Sequence, residues 1–298
     1  MTGRPAPRGA KLADGVWGHR KRAGRAAPEH WTGPQKRLCY GTGMDDSLLE
    51  SLEAGVLTLT LNRPARRNAL DEALITRLHR RLAAAGEDGA VRTVVRTGAG
   101  GAFSSGADLK EAATALTGDL IERAYNPAIR AIRRMPKPVI AAVDGVATGY
   151  GASLALAADI RLASERARLA LIFARVGLTL DGGASWFLPR LVGLRAYELA
   201  MTGELLDAAE AYRIGLVNHV YPEARFAATV AAFARRLADG PPLALQAIKA
   251  NLNASLGPAL ESIMEDERIA QRWLFTTADV REGVTAFIEK RAARFTGE

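Results

Sequence analysis

The sequence predicts an α/β fold, and three stretches carry that expectation. The first is Pro138–Asp159. Its apolar run Val139–Val143 has the length and β-branched content of a buried strand. Asp144-Gly145 marks a turn, Gly149-Tyr150-Gly151 marks another, and the small apolar residues Ala152–Ala158 read as a buried helix. The second stretch is Val91–Lys110, where the strand-like Val91–Val95 again runs into a glycine-rich turn and then Ser105-Gly106-Ala107-Asp108. The third is the C-terminal part, which reads as helix from Arg225 to Arg294. With 298 residues, 48% of them hydrophobic, the chain can bury a sizeable core in one or two domains.

The remaining elements follow in order. Val56–Leu61 alternates with period two, as a half-buried strand does. Pro64 in Asn62-Arg63-Pro64 cannot continue a central strand, so the chain turns there. Leu74, Ile75, Leu78 and Leu82 give Asp71–Ala85 one apolar helical face. Glu111–Arg134 reads as mostly helical, with Pro127 as a break, and Pro136-Lys137-Pro138 forces an extended entry into the next strand. Asp159–Leu162, Arg168–Leu171 and Val217–Tyr221 read as short strands, and Asp181-Gly182-Gly183 as a turn. Ala184–Val192, Arg195–Met201, Ala208–Ile214, Arg225–Asp239, Leu243–Ser255, Pro258–Trp273 and Val280–Arg294 read as helices. No repeat of fixed period stands out.

The net charge of +8 is unevenly placed. Residues 1–43 hold nine Lys or Arg and two acids, so this stretch carries +7 of it. It is rich in Gly, Pro and Arg, lacks hydrophobic periodicity, and reads as a disordered basic leader. Three explanations compete: a wrongly assigned start with Met44 the real one, a transit peptide, or a nucleic-acid-binding arm. The first is favoured, so nucleic acid is not an expected partner. No apolar run reaches membrane-spanning length, and the leader has no apolar segment of secretory type. The lone Cys39 excludes a disulfide framework and makes the cytoplasm the expected compartment. No Cys/His cluster has metal-ligand spacing, so no metal is expected.

The chemistry lies at the two glycine turns. Glycines flanking a helix start let a ligand approach the backbone, and the free N–H groups of the first turn favour negative charge. Such a turn suits a phosphate, or an oxyanion that exists only during reaction. A tight strand-to-helix turn without a ligand is the alternative. A dinucleotide fingerprint is excluded in the first turn, because the third glycine of G-x-G-x-x-G would fall on Phe103.

Taken together, the two turns resemble the paired oxyanion loops of the crotonase (enoyl-CoA hydratase/isomerase) superfamily. Leu61-Asn62-Arg63-Pro64 with Asn68-Ala69-Leu70, Leu188–Gly193, Gly215-Leu216-Val217 and Phe287–Arg291 add to the resemblance, which runs from about Leu48 to the C-terminus. It implies a spiral of stacked ββα turns over 44–240, with a helical trimerisation region over 241–298. It also implies an acyl-CoA thioester substrate with no cofactor beyond that coenzyme A, and a homotrimer or dimer of trimers. By motif, the oxyanion donors are the main-chain N–H groups of Ala107 and Tyr150. Coenzyme A is expected across Arg66, Ala69, Ala107, Asp108, Leu109 and Lys110, with Gly149 and Phe173 at the acyl site and Phe287 and Lys290 reaching in from the terminal helix. A core aromatic (Tyr150), a solvated loop charge (Lys110) and an ordinary amphipathic helix (Phe287, Lys290) are the plain alternatives.

The hydratases of this superfamily hold a water between two glutamates. The matching positions here are Ser153 and Phe173, neither of which can do that work. One acid is well placed: Val176–Asp181 with Gly182-Gly183-Ala184-Ser185 resembles the single-aspartate branch, which includes ring-epoxide (phenylacetyl-CoA-type) and enoyl-CoA isomerases. Leu180 stands where that branch usually has proline. Asp181 is therefore the expected catalytic residue, with a helix N-cap as its alternative role. An ordinary aspartate near pKa ~3.9 is too weak a base; burial beside Phe173, Leu180 and Trp186 would raise it. The leading expectation is an enoyl-CoA isomerase. A hydratase with atypical residues, a weakly catalytic RNA-binding paralogue, and a dehalogenase or hydrolase are the alternatives.

Overall fold

The computed structural model describes residues 46–109, 118–255 and 260–293. The expected leader, 1–43, and Lys110 lie outside them. β1 (Leu48–Glu53) and β2 (Val56–Leu61) form an antiparallel hairpin with Leu48 opposite Leu61. Ala54 and Gly55 at its tip both have positive φ, as the favoured two-residue turn demands. β2 buries every second residue, Leu57, Leu59 and Leu61.

From there the chain winds as a spiral. α1 (Glu72–Glu87) crosses over and buries Leu74, Ile75, Leu78 and Leu82. β3 (Thr93–Gly98) then pairs parallel to β2, and β4 (Ala102–Ser104) leaves for a second sheet. α2 (Asn126–Arg134) leads to β5 (Val139–Val143), β6 (Val146–Thr148) and α3 (Tyr150–Leu156). β7 (Ile160–Ser164), β8 (Arg168–Ala170) and α4 (Ala184–Val192) make the next turn. α5 (Arg195–Thr202), β9 (Leu206–Asp207), α6 (Ala208–Arg213), β10 (His219–Tyr221) and α7 (Glu223–Ala238) follow. One sheet has the order β1-β2-β3-β5-β7-β10 and the other β4-β6-β8-β9. The pairs β3/β4, β5/β6 and β7/β8 therefore each give one strand to each sheet before a helix, which is the stacked ββα arrangement. α8 (Pro242–Ser255), α9 (Leu260–Leu274) and α10 (Ala278–Glu289) complete the described chain.

The structure differs from the expectations in instructive places. β1, β4, β6 and β9 were not expected. Three of them have two or three residues, too few to show any periodicity. Pro127 does not break its helix. The helical run continues through it from Gly118 to Arg134, with a π-helical turn at Ile121–Tyr125 immediately before it. Asp159, by contrast, is a structural acid as its place among polar turn residues suggests: it accepts from Val139 N–H at 2.8 Å and pairs with Lys249 at 2.8 Å. Among the described residues, no helix is long and apolar enough to cross a membrane. Nor does any group of three or more His, Cys, Asp or Glu among them suit a metal ion.

Asn68 ties the first spiral turn together. It is fully buried, with φ 55°. Its Oδ1 accepts from Arg63 N–H at 2.8 Å, and its Nδ2 donates to Ala99 O at 2.9 Å and Ala102 O at 2.6 Å. Asn68→Ala leaves those groups unpaired and puts alanine in the left-handed region, so it should destabilise the fold by about 3 kcal/mol or more. A shift of the urea midpoint worth less than about 1 kcal/mol would contradict this role.

Candidate active site

The first turn is built on Leu70. Leu70 N–H donates to Gly106 O at 2.8 Å, and Leu70 O accepts from Asp108 N–H at 2.9 Å. These two bonds straddle Ala107, so its own N–H faces away from Leu70 and has no acceptor among the described residues. Ser104 Oγ fixes the turn from below: it donates to Asn68 O at 2.9 Å and accepts from Gly106 N–H at 3.1 Å.

The second turn starts at Gly149, with φ 52° and ψ −131°. Its N–H donates to Ala170 O at 3.0 Å, and Thr148 Oγ1 donates to Ser105 O of the first turn at 3.1 Å. Tyr150 is the first residue of α3, and its N–H also has no acceptor among the described residues. The two turns touch at Gly106. A Cβ there would fall 2.8 Å from Thr148 O and 3.2 Å from Tyr150 N. The Tyr150 side chain is a core aromatic as well. Its hydroxyl donates to Tyr125 O at 2.6 Å, and Tyr125 donates to Leu70 O at 3.0 Å. The side chain is therefore the core aromatic, and that role leaves the main-chain N–H unengaged.

Asp181 sits where these turns meet α3. A Cβ on the adjacent Gly182 would lie 2.9 Å from Tyr150 Cε2 and 3.0 Å from Ser153 Cβ. Asp181 is buried, and its Oδ1 has no hydrogen-bond partner; the buried Ser153 Oγ has none either. Asp181 is not the N-cap of α4: Gly183 holds that position with no side-chain cap of its own. The capping falls to Glu267 of α9, which accepts from Gly183 N–H and Ser185 N–H, both at 2.9 Å. Burial, then the Glu267 charge, push the Asp181 carboxyl well above the usual range, while a hydrogen bond from Gln271 opposes them.

The other expected site residues are spread more widely. Asp108 is buried between Arg63 at 3.0 Å and Arg66 at 3.9 Å, so its charge is committed to arginines. Arg66 itself is half exposed, Ala69 is buried and Leu109 is partly buried. Phe173 is buried in the 3-10 turn Ile172–Val176. Leu180 packs against the core beside Asp181. Trp186 has its ring under the Arg190 guanidinium at 4.3 Å. Phe287 is exposed near the end of α10, and Lys290 is its C-cap with φ 58°. That helix approaches the site through its first half, where a Cβ on Gly283 would meet Val176 of the Phe173 turn.

Sequence reading missed Glu267 and Gln271. The available signal was the buried stripe of α9: Leu260, Ile263 and Met264 continue at the same spacing into these two polar residues.

Residues 51–298 match the profile of enoyl-CoA hydratase/isomerase. The chain belongs to that family. This member is 40% identical over 262 residues to a 1,2-epoxyphenylacetyl-CoA isomerase of Escherichia coli, covering 86% of this chain and 100% of that one. It is 42% identical to a probable enoyl-CoA hydratase of Rhodobacter capsulatus, covering 83% of this chain and 96% of the relative. The crystal structure of an enoyl-CoA hydratase from Mycobacterium avium subsp. paratuberculosis superposes with a TM-score of 0.79 at 39% identity, over 84% of this chain and 98% of that one. As a crotonase-superfamily enzyme, this family member processes acyl-CoA.

The buried acid makes a thermodynamic prediction. With its folded pKa above the ordinary 3.8, Asp181 binds its proton more tightly in the folded chain. The associated stability is full below the unfolded pKa and is lost as pH rises through the folded one. Asp181→Asn lacks this dependence. Urea unfolding at pH stepped upward from the ordinary 3.8 should show wild type losing stability relative to Asp181→Asn as pH rises. Parallel curves would mean that the carboxyl is not perturbed.

Proposed function

We propose that this enzyme is an enoyl-CoA isomerase in which Asp181 moves a proton along the acyl chain. The observation that carries the reading is the unpartnered Oδ1 of a buried Asp181, close to a Ser153 that cannot handle a hydration water, with Phe173 at the other matching position. The carboxylate takes a proton from a carbon next to the conjugating system. The electron pair spreads to the thioester oxygen, which receives the N–H groups of Ala107 and Tyr150. The acid then returns a proton to another carbon, so no atom is gained or lost overall. A carboxyl raised by burial and by Glu267 is a stronger base than a free aspartate and suits exchange near neutral pH.

The similarity to an isomerase of an epoxyphenylacetyl-CoA supports this reading. The similarity to proteins named as hydratases keeps an atypical hydratase as the second reading. Arg66, Ala69 and Leu109 are the proposed coenzyme A contacts among the described residues, with Asp108 orienting Arg66. A homotrimer, or a dimer of trimers, is the proposed assembly; the exposed Tyr197, Met201, Trp273 and Phe287 leave apolar surface for it. The cytoplasm is the proposed location.

Mass spectrometry after incubation with a small acyl-CoA panel separates the two readings: isomerisation leaves the mass unchanged, and hydration adds a water. Asp181→Asn should lower isomerisation by about two to four orders of magnitude, whereas Ser153→Ala should leave it within about threefold. A hydrated product lost in Ser153→Ala would reverse the assignment. Gly106→Ala should cost about two to three orders of magnitude in turnover, because its Cβ displaces the Tyr150 N–H. Near-normal turnover in that variant would remove the paired N–H groups from the mechanism.

A further inference from the structure

We propose that α9 carries two positioning residues for this reaction: Gln271, which aims the Asp181 carboxylate, and Glu267, which holds the loop that Asp181 stands on. The proposal rests on the isomerase reading above and adds how its acid is held.

Glu267 and Gln271 lie one helical turn apart on the buried face of α9, at 5% and 1% exposure. Polar side chains at such depth need a reason, and both find it in one short segment. Gln271 Oε1 accepts from Thr179 N–H at 3.3 Å, and its neutral amide favours the charged form of the nearby Asp181 carboxyl. Asp181 Oδ1 itself has no hydrogen-bond partner. Glu267 has both oxygens occupied by Gly183 N–H and Ser185 N–H. It therefore cannot reach substrate, but it fixes the backbone on the other side of Asp181. The two side chains clamp the segment at Thr179 and at Gly183–Ser185, with the acid between them. Among the described residues, the titratable groups acting on Asp181 are Glu267 and, from α3, the Tyr150 phenol; Gln271 is neutral.

The test uses the full chain with 3-hexenoyl-CoA, following double-bond conjugation and exchange with heavy water across pH, with thermal unfolding alongside. Gln271→Met keeps the volume and removes the donor. It should lower kcat roughly ten- to hundredfold with KM within about twofold. It should also move the acid limb of the profile to higher pH, because a donor that favours the charged form is gone. Glu267→Gln should move the same limb to lower pH, because a neighbouring negative charge is gone. Neither change should lower the residual rate further when combined with Asp181→Asn. Opposite shifts on the two variants support the proposal, since a purely structural helix would move neither limb. Unmoved limbs, or losses that persist on top of Asp181→Asn, overturn it. Should Gln271→Met fail to fold, the limb in Glu267→Gln decides alone. Wild-type exchange in Asp181→Asn would sink the isomerase reading and this proposal with it. An inactive Asp181→Asn beside an unaffected Gln271→Met would sink this proposal only.

Discussion

The site depends on a backbone contact made without a side chain between the partners. At Gly106 the first turn lies against Thr148 O and Tyr150 N, and its φ of 96° suits only glycine. The second sheet explains why the turns meet at all. β4 and β6 are neighbours there, so the loops that leave them emerge side by side. Ser104 and Thr148, the last residues of those strands, bond to Gly106 N–H and Ser105 O. Three-residue strands suffice because their work is to deliver two turns in register, while the six-stranded sheet and its helices bury most of the apolar surface.

This division of labour decides what could be read beforehand. The large sheet is made of apolar runs with β-branched residues, and Val56–Leu61 and Val139–Val143 were legible as they stand. The second sheet was not, since Ala102–Ser104 and Val146–Thr148 are too short to carry a period and look like parts of loops. Asn68-Ala69-Leu70 could be recognised as a motif, yet its physics lay in long-range pairs with Ala99, Ala102 and Gly106. Asp181 was legible only as two competing roles. Its separation from capping required Glu267, which comes from a helix 86 residues downstream of it.

Burying two carboxylates near each other has a physical cost, and the structure divides it unequally. Glu267 receives two backbone N–H groups that favour its charged form, although burial still raises its pKa. Asp181 receives one amide donor and faces the Glu267 charge. Of the two, Asp181, the group with a free oxygen, is therefore the one better able to take up a proton. Different donor sets thus leave one acid with both oxygens engaged and the other with one oxygen free.

The same packing explains why serine stands at position 153. Gly182 passes so close that a Cβ on it would be 3.0 Å from Ser153 Cβ and 2.9 Å from the Tyr150 ring. A glutamate at 153 would have to extend where Gly182 already lies, and its charge would join Asp181 and Glu267 in a space from which water is excluded. Phe173 brings an apolar ring to the second glutamate position, buried at 5% exposure. The short side chain at 153 and the approach of the Asp181 loop thus go together. Where Gly182 can settle on α3, a short side chain is required beneath it, and the acid that remains is the one that the loop itself brings in.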